Sequence, residues 1–181
     1  RTAKFRSFMG NRDSASNGCM MRSTPLAIWG ADLSKEDLKK ASNAETTLTH
    51  PNPTANDATF LYNLAIKFLL NNLEDPDRAL KCFDYCLEAS NSFTPEDSFF
   101  GDQSIKNWLL LSKKMFEDAN ESGEEELLKM PEVLTNQGWV KHALIMSFYF
   151  LLNKFNRLFN RYQGCETKSI PQSNDQRDFT L

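Results

Sequence analysis

Histidine is almost absent from this chain: His50 and His142 are the two in 181 residues. The four cysteines, Cys19, Cys82, Cys86 and Cys165, form no C-x-x-C pair. These shortages argue against a zinc site, which draws its ligands from such clusters. Basic charge is not in excess either. With 21 Lys and Arg against 24 Asp and Glu, the formal charge is -3. No face carries the footprint of a phosphate backbone, and nucleic acid is not an expected partner. The longest apolar run, Ala143 to Leu152, is broken only by Ser147. A bilayer takes about 20 such residues, so no membrane association is expected. Walker and Rossmann glycine loops are missing, as are legible Ser-His-Asp and Cys-His arrangements. Strand signals are missing too: β-branched residues are sparse and no run alternates.

What is present is helix-forming sequence with ample core material, including 14 Phe and 3 Trp. The length suits one domain. Asn17 is placed to cap a helix starting near Gly18 or Cys19, which Pro25 then kinks or restarts. Ser34 to Asp37 resembles a capping box, predicting a helix to about Thr47. Thr54 to Asn71 has Ala58, Leu61, Leu64, Ala65, Phe68 and Leu69 at helical spacing. Asp75-Pro76 predicts a cap with Pro at the first helical position, opening a helix with Ala79, Leu80, Phe83 and Leu87 on one stripe. Ser104 to Ala119 is amphipathic. Trp139 to Phe159 is apolar nearly all round, which places it centrally. The fold class is therefore all-α, an irregular orthogonal helical bundle over residues 1–162. Residues 163–181 are polar and are expected to form a disordered tail. Cys82 and Cys86 are read as free thiols in a reducing compartment, hence an intracellular and cytoplasmic protein. The chain opens on Arg1 rather than Met, and a fragment or a processed product is expected.

Three segments carry possible chemistry. Ser14-Ala15-Ser16-Asn17-Gly18 is a run of small residues entering a helix. Such a run lets backbone amides approach a diphosphate, and the helix dipole attracts it. The alternative is a plain helix cap. Arg22, one turn on, could reach the same anion or brace the loop through a carboxylate. His50, in Leu48-Thr49-His50-Pro51-Asn52-Pro53, could stack on a base or hydrogen-bond a ribose, or could only cap the preceding helix. His142 reads as a packing or surface residue. The acid pairs Asp75/Asp77 and Asp175/Asp178 read as capping and tail residues.

The order and spacing of Ser14–Gly18, Met21-Arg22, Pro25-Leu26-Ala27 and Leu48–Pro53, followed by Gly138-Trp139-Val140, resemble the middle of an ADP-ribosylglycohydrolase domain, over roughly residues 5–160. The resemblance implies an all-α fold and removal of ADP-ribose from modified proteins or related adducts, with two magnesium ions beside the ribose. It implies that the Ser14, Ala15, Ser16, Asn17 and Gly18 amides hold the diphosphate. It further implies that His50 lies near the adenosine, that Phe8 stacks on adenine, and that Met21, Pro25 and Leu26 are packing residues. The expected partner is ADP-ribose or an ADP-ribosylated protein. The family's metal motifs, an early Thr-Asp-Asp type cluster and a late Gly-Gly-Asp-Thr-Asp-Thr type segment, do not occur in this sequence. Magnesium needs several oxygen ligands, so this chain by itself is expected to bind none and to be inactive. Three readings stay open: a partial hydrolase, a metal-free ADP-ribose-binding module, and a helical interaction domain.

Overall fold

In a computed structural model, residues 10–93, 105–122 and 136–163 are described, the last ten by their backbone path. Seven helices account for most of them: α1 Gly18–Met21, α2 Thr24–Trp29, α3 Lys35–Thr46, α4 Pro53–Asn71, α5 Arg78–Ser90, α6 Ile105–Ser122 and α7 Val140–Gln163. Among the described residues there is no strand, only one isolated antiparallel bridge between Ser16 and Trp139. The fold is all-α, as the sequence indicates.

Local rules set most boundaries. The Ser34 hydroxyl accepts from the Asp37 amide at 3.1 Å, starting α3. The Asn52 side chain accepts from the Ala55 amide at 3.2 Å, with Pro53 at the first helical position of α4. Both satisfy amides that a helix start leaves unpaired. Two expected starts fail. Asn17 makes no side-chain cap bond, and α1 is one turn of four residues before Pro25 restarts the chain as α2. Asp75 does not open α5. Its carboxylate accepts from the Asp77 amide at 2.9 Å and its carbonyl from Arg78, so residues 75–77 form a turn ahead of the helix.

The stripe on α5 also differs from expectation. Leu80 is exposed, and Ala79, Cys82, Phe83, Cys86 and Ala89 are buried. The two thiols, four residues apart, occupy the inward face that Leu80 was expected to share. Cys82 and Cys86 donate to the Ala65 and Leu61 carbonyls of α4. The neighbouring Cys82 thiol and then burial push Cys86 well above the ordinary thiol range. Cys19 is raised by burial as well. Cys19, Cys82 and Cys86 are all buried, so all three are expected to resist alkylation until the domain unfolds. Rapid labelling of any of them in native buffer would contradict this packing.

The hub is α4, not α7. Helix α4 packs against each of the other six described helices, whereas α7 lies mainly on α6. Its buried Ala55, Ala58, Thr59 and Ala65 admit neighbouring backbones closely, while Phe60, Leu61 and Leu64 fill the space between them. Helix α7 buries Phe148 and exposes Phe150. Larger exposed groups are Met21 and Trp29. Met21 and Pro25 face solvent, and Leu26 is half-buried, which corrects their expected packing role.

Gly30, at the end of α2, is a steric requirement. A β-carbon there would lie 2.9 Å from Leu38 Cδ1 and 3.1 Å from the Leu26 carbonyl oxygen. Leu38 is fully buried and has little room to move. Gly30→Ala is expected to cost about 1–3 kcal/mol by overpacking, read as a lower urea midpoint with unchanged slope.

Candidate functional site

The small-residue loop is held from two sides. On one side, the Asn17 amide donates to the Gly138 carbonyl at 2.7 Å and the Val140 amide donates to the Ala15 carbonyl at 2.8 Å. These bonds flank the Ser16–Trp139 bridge and clasp the loop to the start of α7. On the other side, the Ser14 amide donates to the Asn11 carbonyl at 3.0 Å, and the Asn11 side chain donates to the Thr49 carbonyl at 3.1 Å. Beneath the loop, Cys19 is buried against Thr59 of α4, whose hydroxyl lies 3.4 Å from its sulfur.

A cavity of about 500 Å³ opens beside this clasp, lined by Ala15, Ser16, Asn136, Gly138 and Trp139. That volume suits a small organic ligand. Trp139 stacks edge-to-face on Trp108 of α6, with ring centroids 6.2 Å apart, which fixes one wall.

The fold itself uses three of the five loop amides. Ser14 and Asn17 donate to carbonyls, and Gly18 donates to the Ser16 hydroxyl at 3.4 Å. The Ala15 and Ser16 amides make no hydrogen bond among the described residues. Those two residues are the loop's contribution to the cavity wall. The helix-dipole argument does not survive: one turn of helix sums too few peptide dipoles to make a useful positive end.

His50 lies against the same loop. A β-carbon at Gly18 would sit 3.5 Å from His50 Cε1 and 3.7 Å from Nε2. The His50 amide donates to the Thr46 carbonyl at 2.8 Å, closing α3, so its backbone is indeed a cap. The side chain is engaged separately: Nδ1 lies 2.8 Å from the Thr49 hydroxyl. Arg22 takes the bracing role. Its Nε pairs with Glu45 at 2.9 Å, and its Nη2 donates to the Thr49 hydroxyl at 2.7 Å. Both partners are partly exposed, so the pair itself contributes at most about 1 kcal/mol. Its consequence is positional.

Burial, and then the Arg22 guanidinium, hold His50 below its ordinary value of 6.5, against an opposing pull from Glu45. The unfolded chain therefore binds this proton more readily than the folded one. Stability from this group is complete above about pH 6.5 and is lost as pH falls through the lower folded value. His50→Gln is expected to flatten the dependence of Tm on pH below that point. A mutant curve parallel to the parent's would contradict the assignment.

Of the residues that the sequence singles out, Ser14–Gly18 and His50, the fold sets Gly18 beside His50. Phe8 lies outside the described residues. Asn136, Gly138 and Trp139 were not anticipated as cavity residues. Their pairing with the loop crosses more than a hundred residues, and no local pattern signals it. His142 is buried, with its ring edge-on to Trp139 at 5.3 Å.

A helical domain with a cavity at a clasped small-residue loop is the class that these features define. The family model described as ADP-ribosylglycohydrolase matches residues 2–166, and the chain belongs to that family. No curated protein and no solved structure matches the chain. The family is generally metal-dependent and acts on ADP-ribosylated substrates. Among the described residues, no group of three or more His, Cys, Asp and Glu is placed to hold a metal ion. Among the described residues, the cavity lining holds no carboxylate of the kind that magnesium takes. No helix among them is long and apolar enough to cross a membrane.

Proposed function

We propose that this chain is an ADP-ribose-binding member of its family, gripping the diphosphate through the backbone amides of Ala15 and Ser16. One observation carries the reading: the two loop amides that make no hydrogen bond among the described residues belong to residues that line the cavity. An anion accepting from paired amides gains charge-assisted hydrogen bonds, and the site needs no cationic side chain to do so. Trp139 supplies an apolar wall. His50 lies behind Gly18, and the reading places a ribose or phosphate oxygen beside it. Residues 1–162 act as the binding domain, in an intracellular and cytoplasmic protein. The free buried thiols support that compartment.

The lining residues offer hydrogen-bond groups and an aromatic face but no general acid or base. This chain is expected to bind ADP-ribose and to release none from a modified protein. Magnesium-dependent release by the purified chain would refute the second half of that statement. Titration calorimetry tests the first half. Ser16→Asp places a carboxylate on the cavity wall and is expected to weaken ADP-ribose binding about tenfold or more. No heat from the parent chain at millimolar ADP-ribose would leave a helical interaction domain as the surviving alternative.

A further inference from the structure

We propose that Arg22 and Thr49 are positioning residues that lock His50 in the tautomer with its proton on Nε2, so that the ring presents a fixed hydrogen-bond donor beside Gly18. A guanidinium has donors only. Arg22 Nη2, 2.7 Å from the Thr49 hydroxyl oxygen, must therefore give it a hydrogen. The hydroxyl keeps its own hydrogen and one lone pair, and in the arrangement we propose that hydrogen points at His50 Nδ1, 2.8 Å away. With Nδ1 accepting, the proton of the neutral ring sits on Nε2. Glu45 anchors the far end by holding Arg22 Nε at 2.9 Å, and the Glu45 carbonyl accepts from Nη2 at 3.4 Å. Four residues from α3, its C-terminal turn and the segment after α1 thus form one directed chain: Glu45, Arg22, Thr49, His50.

The charged groups facing the ring are Arg22, from beyond α1, and Glu45, from α3. They act on its protonation in opposite senses. Arg22 disfavours the imidazolium and Glu45 favours it. Protonation of Nδ1 would replace an acceptor by a donor, and the Thr49 hydroxyl would have to turn and accept from it with its second lone pair. A neutral donor at a diphosphate or ribose site has a use. It fixes orientation without the desolvation cost of a full charge, and it binds an oxygen acceptor rather than a cation. The ligand role rests on the ADP-ribose reading above. The tautomer lock does not.

The test separates the two. Nitrogen-15 NMR of the imidazole rings reads the tautomer without any ligand, and with two histidines in the chain a His50→Gln variant assigns the signals. The parent chain is expected to show an unprotonated Nδ1 and a protonated Nε2 for His50. Thr49→Val should release the ring into a tautomer mixture, and Thr49→Ser should restore the lock. Arg22→Met should move the His50 titration upward and Glu45→Gln should move it downward. A general loosening of the fold would shift both in the same direction. A protonated Nδ1 in the parent, or a Thr49→Val spectrum identical to the parent's, would overturn the proposal. ADP-ribose binding by Thr49→Val is expected to fall about fivefold. If the lock is present but the parent does not bind ADP-ribose, the functional reading fails and the positioning role stands.

Discussion

Phe60→Ala is expected to lower the unfolding free energy by about 3–5 kcal/mol. Phe60 is fully buried in α4, the helix that packs against all the other described ones. Its ring meets Phe93 edge-to-face with centroids 6.2 Å apart, and the Lys39 ammonium of α3 lies 5.7 Å from its centroid. Removing it forfeits the transfer free energy of the ring and leaves a void that helices on several sides cannot all close. A single domain has about 5–15 kcal/mol in total, so the loss takes from about a fifth to all of it. Urea denaturation followed by far-ultraviolet circular dichroism measures the effect. A loss below about 1 kcal/mol would mean that α4 is peripheral and that the packing order described above is wrong.

Gly18→Val is expected to weaken ADP-ribose binding by about tenfold or more, roughly 1.4 kcal/mol, while Gly18→Ala leaves it near the parent value. The contrast comes from the space available. An alanine β-carbon would rest 3.5 Å from His50 Cε1, 3.7 Å from Nε2 and 3.8 Å from the Ser16 hydroxyl, all ordinary contact distances. Gly18 is the first residue of α1, and alanine there costs nothing in helical propensity. Valine adds two methyl groups into the same gap. Either the His50 ring or the Ser16 loop must give way, and both are parts of the site. Calorimetry with ADP-ribose on both variants distinguishes the cases. Equal damage from alanine would mean that the ligand touches the Gly18 backbone itself. Unchanged affinity in both would put the ligand elsewhere.

Family membership sharpens the question of catalysis. The chain belongs to the ADP-ribosylglycohydrolase family, and the cavity lining among the described residues is Ala15, Ser16, Asn136, Gly138 and Trp139. Magnesium titration of the chain, alone and with ADP-ribose, is the direct complement to the binding measurements.

Much of the fold was legible in the sequence. Ser34, Asn52 and Pro53 mark helix starts through hydrogen bonds that span three residues. The spacing of Ala58, Leu61, Leu64 and Ala65 marks a buried face through the period of the helix itself. Such signals are local, and a linear reading captures them. The errors arose where local chemistry had competitors. Asp75 and Asp77 both suit a cap, and the chain used Asp75 to build a turn. Asn17 suits a cap as well, but its amide was recruited by Gly138 and its helix ended after one turn. Leu80 fits an apolar stripe as well as Cys82 does, and the contact with α4 chose the thiols.

The sequence by itself determined the all-helical class, most helix boundaries and where the small-residue loop and the Thr-His turn fall between helices, because backbone periodicity and capping act over a few residues. Only the tertiary structure decided which loop amides are bonded among the described residues, which residues wall the cavity and what the Thr49 hydroxyl beside His50 meets. Each of these depends on partners 23 to more than 100 positions away: Arg22 on Glu45 and Thr49, and Ala15 and Asn17 on the Gly138–Val140 segment. Hydrogen bonds across such separations form only after the helices have packed, and no local pattern in the chain encodes them.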